Sequence, residues 1–146
     1  MMQIDRWDVS GLKELEKALT DIGEKAGLRA LRKASREAMG GVQFSMAMGA
    51  GYDEAGADGE HMRDSIKITT KKLDSKHGGK DNALATRVGP SKKHSQKAIA
   101  QEYGTAKQAA VPFMRPALFE NRHRVVSTFR TVLATEIQKA IKKQSQ

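Results

Sequence analysis

The sequence predicts an α+β fold: two N-terminal helices, an antiparallel sheet of three to four strands with long loops, and a long C-terminal helix packed on the sheet. Two observations carry this. Apolar residues recur at spacings of three and four at both ends of the chain, whereas the middle alternates apolar and polar residues between stretches rich in glycine and charge. A length of 146 residues suits one domain spanning 1–146, with loops expected to be mobile at about 49–60, 71–82 and 90–97. The hydrophobic share of 38% and aromatic share of 5% are low for a self-sufficient globule, so a partner is expected to complete the core.

The first helix begins after Ser10, whose hydroxyl suits an N-cap, and carries Leu12, Leu15, Leu19 and Ile22 on one stripe. Gly23 is the expected stop. A second helix from about Lys25 to Met39 sets Leu28, Leu31, Ala34, Ala38 and Met39 along a side rich in small residues, which favours close helix packing. Gly40 and Gly41 should end it, with Val42 to Met48 able to resume for a turn or two before the glycine-rich stretch from Gly49 to Gly59. Farther on, Ile66, Ile68 and Thr70 alternate with Lys67, Thr69 and Lys71, which predicts a half-buried strand. Residues 73 to 82 form a polar hairpin tip, and Ala83 to Pro90 return as the second strand. A basic loop from Ser91 to Lys97 then leads to a third strand, Ala98 to Tyr103. From Pro116 the longest helix runs to about Lys142, with Leu118, Val125, Phe129, Val132, Leu133, Ile137 and Ile141 at helical spacing and Lys142 and Lys143 at its C-terminal end, where cations suit the macrodipole.

The most specific stretch is Glu102-Tyr103-Gly104-Thr105 followed by Pro112-Phe113-Met114-Arg115-Pro116-Ala117. Gly104 allows a sharp turn at positive φ. Pro112 pushes Val111 towards extended geometry, and Pro116 falls where a helix tolerates proline, in its first turn. Phe113 is thus aimed by its neighbours, as a staple fastening a loop to the last helix. These letters and their spacing resemble the signature of the head-tail joining, or tail-completion, family of long-tailed bacteriophages: Glu-Phe/Tyr-Gly-Thr, a spacer, then Pro-Phe-Leu-Arg-Pro-Ala. Arg87-Val88-Gly89-Pro90 resembles that family's Arg-Val-Gly-Pro, and Met62 with Ser65-Ile66 matches the second half of its Thr-Gly-x-Leu-x-x-Ser-Ile segment. The usual Ala-Pro-Val-Asp-Thr-Gly turn is replaced by the longer acidic glycine loop.

The resemblance implies a structural virion protein of a siphovirus-like phage or prophage, with Glu102, Tyr103, Gly104, Thr105, Pro112, Phe113, Arg115 and Pro116 as its structural motif. It implies a homo-oligomeric ring at the neck, six-fold rather than twelve-fold. The ring would sit between a head connector or head-closure protein and a tail terminator or tail tube protein, completing the tail and leaving a channel for DNA. Its expected location is the tail and neck of the virion, and the host cytoplasm during assembly.

Composition narrows the chemistry. With no cysteine there is no disulfide framework, thiolate zinc site or cysteine nucleophile. The first residues lack an apolar leader segment, and no run approaches the roughly 18 apolar residues of a membrane span, so no membrane partner is expected. The net charge of +9 is concentrated between His61 and Ala100, where ten Lys and Arg face three Asp, a balance of +7. Lys71, Lys72, Lys76, Lys80, Lys92, Lys93 and Lys97 are therefore candidate contacts for DNA phosphates or an acidic partner. A small basic protein binding nucleic acid without sequence preference is the alternative function, since these loops lack stacking aromatics and no recognition motif is present. Asp53, Glu54, Asp58 and Glu60 fail the calcium-loop template, Gly49 and Gly51 fail the dinucleotide one, and the four histidines lack zinc-enzyme spacing. No cofactor is expected. No serine stands in Gly-x-Ser-x-Gly, and Glu102 is expected to be a strand-edge carboxylate paired with a lysine or arginine rather than a general acid. An enzyme is not expected.

Overall fold

The structure, a computed structural model, describes residues 12–52, 61–73 and 84–145. Their elements in order are α1 (Leu12–Ile22), α2 (Glu24–Ala38), α3 (Gly40–Gly49), β1 (Lys67–Lys72), β2 (Leu84–Gly89), α4 (Ser95–Tyr103), α5 (Met114–Glu120) and α6 (Arg122–Gln144). Short 3-10 turns at Arg63–Ser65 and Lys92–His94 precede β1 and α4. β1 and β2 pair as an antiparallel ribbon. Helices and a sheet are both present, as the patterning predicts. The chain forms two compact units, one from Met1–Ala38, Thr70–Thr86 and His123–Gln146, the other from Met39–Thr69 and Arg87–Arg122.

In the first unit, Ile22, Ala30, Ala34, Leu133 and Ile137 form a buried cluster that joins α1, α2 and α6. The buried line of α2 is Gly27, Ala30, Ala34 and Ala38, a small-residue face like the one expected but turned from Leu28 and Leu31, which stay half-buried. Its narrowness is what admits the neighbouring helices: a β-carbon at Gly27 would already touch the Leu19 carbonyl at 3.5 Å. Gly23, at φ 92°, makes the turn between α1 and α2. The Gln144 side chain closes the end of α1 by donating to the Ile22 carbonyl at 2.7 Å. Thr86 donates to Ser35 at 2.8 Å and Lys33 pairs with Glu136 at 2.9 Å. The apolar face of α6, expected to lie on a sheet, therefore buries Leu133 and Ile137 against helices.

In the second unit, α3 packs against α5 and against the Arg63–Ser65 turn, burying Val42 and Met46. The two glycines interrupt helical structure only at Met39, since α3 starts at Gly40 and runs through the expected resumption. Gln43 donates to the Ile66 carbonyl at 3.0 Å and fixes the entry to β1.

Three expectations are corrected. The third strand is a helix: Ala98 and Glu102, four apart, are buried on one face of α4 while Ile99 and Tyr103 face outward. A run this short fits either period, and burial of the 98/102 pair selects the helical one. The sheet thus has two strands among the described residues. The basic loop at 90–97 is instead the 3-10 turn Lys92–His94 and the first residues of α4, with the Ser95 hydroxyl bonded to the Lys92 carbonyl at 2.9 Å. The last helix is broken into α5 and α6 at Asn121, whose side-chain amide donates to Ala117 O at 2.7 Å and Ser45 Oγ at 2.9 Å. That side chain competes with the backbone ladder at the Ala117 carbonyl. Of the loops expected at about 49–60 and 71–82, Gly49 instead ends α3 and Lys71 and Lys72 end β1, while 53–60 and 74–82, with Lys76 and Lys80, lie outside the described residues, as does Ser10.

Candidate functional site

The motif residues assemble in the second unit around one buried carboxylate. Glu102, near the end of α4, is 1% exposed. Its Oε2 accepts the backbone N–H groups of Phe113 at 2.7 Å and Met114 at 2.9 Å. Its Oε1 accepts the backbone N–H of Arg115 at 3.1 Å and Arg115 Nε at 2.8 Å. The guanidinium reaches back through Nη2 to the Glu102 carbonyl at 3.3 Å and lies 4.6 Å above the Tyr103 ring. The first turn of α5 exposes amides that have no acceptor within the helix, and Glu102 supplies one from another helix.

Burial alone would raise the pKa of this carboxyl. The Met114 amide, the Arg115 side chain and the Phe113 and Arg115 amides outweigh that effect and hold it at about 2, so the group stays ionised. A charged carboxylate with every oxygen occupied by fixed donors is a clamp. Each of its two oxygens already accepts two donors.

The remaining motif residues build the path between Glu102 and Phe113. Gly104 sits at φ 78°, and a β-carbon there would lie 2.8 Å from the Ala110 nitrogen, so both torsion and space demand glycine. Its N–H closes α4 on the Ala100 carbonyl at 2.8 Å. Thr105 and Gln108 then form a tight bridged turn, in which Thr105 Oγ1 accepts the Lys107 N–H at 3.2 Å. Pro112 is exposed, Phe113 is 3% exposed, and Pro116 stands in the first turn of α5, as the sequence predicts. Phe113 is held closely, since a β-carbon on Gly49 would come within 3.1 Å of its own.

Gln101 was not singled out by sequence reasoning, yet it ties three segments. Its Nε2 donates to Gly49 O at 2.8 Å and Val111 O at 3.3 Å, its Oε1 accepts the Gly51 N–H at 2.8 Å, and its carbonyl accepts the Val111 N–H at 2.8 Å. A polar residue beside the motif glutamate was the available signal. Glu102 does pair with an arginine, as expected, but from a helix and with its carboxylate buried beneath an exposed guanidinium.

The candidate cations fall into separate groups. Lys92, Lys93 and Lys97 are exposed along the turn and first residues of α4 in the second unit. Lys71 and Lys72 end β1 in the first unit, where Lys72 lies 3.6 Å from Glu24. The second unit also exposes large apolar side chains in pairs one helical turn apart: Phe44 and Met48 on α3, each 69% exposed, and Ile99 and Tyr103 on α4. Leu118 and Phe119 on α5 add to them. Among the described residues no helix is long and apolar enough to cross a membrane. Comparison of the chain with family models, with curated proteins and with solved structures gave no match.

Proposed function

We propose that this chain is a structural subunit of the neck of a siphovirus-like phage or prophage, assembling as a six-fold ring between a head connector or head-closure protein and a tail terminator or tail tube protein. The ring completes the tail, joins it to the filled head and leaves a passage for DNA. No reaction is needed for this work.

The observation that carries the reading is the Glu102 clamp. The most specific letters shared with the tail-completion signature, Glu102, Gly104, Phe113, Arg115 and Pro116, act together as one mechanical device that fixes α5 to α4. Their chemistry is spent on rigidity, which suits a subunit that must present a shaped surface to neighbours. The apolar pairs on α3 and α4 supply material for such a surface. An interface burying about 800 Å² on each partner would cover it.

The test is the mass of the purified protein by light scattering, with class-averaged electron micrographs, alone and with tail tubes. Closed rings, or monomers that form rings on tail tubes, are expected. A monomer that ignores tails and binds DNA with a steep salt dependence would overturn the reading.

A further inference from the structure

We propose that a cleft in the second unit, between Ser65, Lys67 and Thr69 on one side and Arg87 to Ser91 on the other, binds a phosphate group, either free or as a diester of nucleic acid. The cleft has a volume of about 340 Å³. Neither of its cations was among those singled out from the charge runs, and the proposal stands whether or not the chain belongs to a phage neck.

The walls follow from the strand period. Lys67 and Thr69 share one face of β1, and Arg87 and Gly89 share one face of β2. Lys67 and Arg87 are both exposed, and among the described residues no carboxylate pairs with either. Two unpaired cations on neighbouring strands repel each other unless an anion lies between them. An arginine fork fits two phosphate oxygens at once, and the lysine adds a point charge.

The exposed Thr69 hydroxyl completes the donor set, and two serines shape the far wall. Ser65 is 1% exposed; its Oγ donates to the Met62 carbonyl at 2.7 Å and accepts the Ser91 N–H at 3.1 Å, which fixes the backbone of the far wall. Ser91 precedes the Lys92–His94 turn in the position of an N-cap, yet its hydroxyl caps nothing and has no partner although it is shut off from solvent. No water-sized group reaches that hydroxyl, so it lies behind the cleft wall, and Ser91 serves the cleft through the backbone position that Ser65 fixes. A tetrahedral phosphate, with several acceptor oxygens, suits two cations and the Thr69 hydroxyl better than a flat carboxylate does. No aromatic side chain lines the cleft, so a base would not be stacked or read there.

Gly89 permits a test that leaves the charges alone. A β-carbon at this position would meet no heavy atom within 4 Å, and its φ is not positive, so Gly89→Leu fits the strand and fills the cleft. The full chain is titrated at low salt with inorganic phosphate and, separately, with a short mixed-sequence DNA duplex, while the resonances of Lys67, Thr69, Arg87 and Ser91 are followed by NMR. Wild type, Gly89→Leu, Arg87→Gln and a Lys92→Gln/Lys93→Gln double variant are compared. The expected result is a shift of these four residues, with binding about tenfold weaker for Gly89→Leu and for Arg87→Gln, roughly 1.4 kcal/mol. Because Arg87 is exposed, its variant serves if Gly89→Leu does not fold. Shifts with both ligands, or with the duplex alone, identify a diester; shifts with phosphate alone identify a free anion. No shift with either ligand overturns the proposal. So does binding that a folded Gly89→Leu leaves intact while the Lys92/Lys93 variant removes it.

Discussion

Replacing Glu102 with glutamine removes the charge at the centre of the second unit while keeping the side chain's shape. The magnitude follows from proton linkage. The carboxyl titrates at about 2 in the folded chain against 4.5 as the ordinary value, a difference of about 2.5 pH units. At 1.36 kcal/mol per unit, the charged form contributes roughly 3 kcal/mol to stability. Burial makes this conversion reasonable, since water does little to screen a group that is 1% exposed. Hydrogen-bond accounting gives the same order: each bond to a charged acceptor is worth about 1.5–3 kcal/mol, and several act here against the cost of desolvating the carboxylate. Glutamine keeps one acceptor oxygen but turns an NH2 group towards donors.

The sign of the pH dependence is fixed by which state holds the proton more tightly. The folded pKa is lowered, so the unfolded chain protonates first as pH falls. The stability contribution is complete above about pH 4.5 and is lost as pH drops towards 2. Urea unfolding of wild type and Glu102→Gln at a series of pH values should show a gap of roughly 3 kcal/mol at pH 7 that narrows below about pH 4.5. Comparing the two proteins isolates Glu102 from Glu136, whose pKa is also lowered, first by its hydrogen bond to Lys33. Equal midpoints at pH 7, or a gap that stays constant down to pH 2, would refute the clamp. Amide exchange at Phe113, Met114 and Arg115 should quicken in the variant; unchanged rates there would tell against it equally.

Other substitutions probe the same unit. Phe113→Ala empties a 3% exposed aromatic site and should cost about 3 kcal/mol or more, read as a lower melting temperature; an unchanged value would remove the staple. Gly104→Ala should destabilise by at least about 1–2 kcal/mol in denaturant unfolding, because the new β-carbon meets the backbone of Gln108 and Ala110 at a positive φ. Phe44→Glu, on a side chain 69% exposed, should leave the melting temperature of the isolated chain nearly unchanged yet block ring formation in light scattering. Rings of normal mass from that variant would exclude α3 from the interface.

The terminal helices were legible because their signal is long. Over α1 and α2, and again over α6, apolar and small residues keep a helical period for several turns, and no other element explains it. β1 was legible from strict alternation of Ile66, Ile68 and Thr70 with polar residues, and β2 as its return after a polar hairpin tip. The 98–103 stretch was not, because its large apolar residues, Ile99 and Tyr103, are the exposed ones. The decisive buried residue, Glu102, is charged, and hydrophobic patterning cannot see a glutamate whose partners lie eleven to thirteen positions ahead. The break at Asn121 was hidden for a similar reason, since it depends on Ser45, distant in sequence. The motif itself was fully legible as letters and as torsions at Gly104, Pro112 and Pro116. What holds it together was legible only in part: a lysine or arginine partner for Glu102 was expected, but the burial of its carboxylate and its three backbone donors are set in three dimensions.

The two units differ in a way that bears on assembly. Residues 39–69 and 87–122 hold nine Lys and Arg against seven Asp and Glu, a net +2, and they carry the exposed pairs on α3 and α4; the rest of the chain holds the remaining +7. Copies meeting through the nearly balanced half suffer little repulsion and gain from apolar burial, which salt scarcely weakens. Contacts with phosphates are released as salt rises, because they depend on counterion exchange. Self-association through the second unit should therefore survive, or strengthen, at salt concentrations that abolish DNA binding. Light scattering and DNA titration of one preparation across a salt series separate the two. If rings dissolve along the same salt curve as DNA binding, charge and not the apolar faces of α3 and α4 holds the copies together, and the interface must be sought among the lysines.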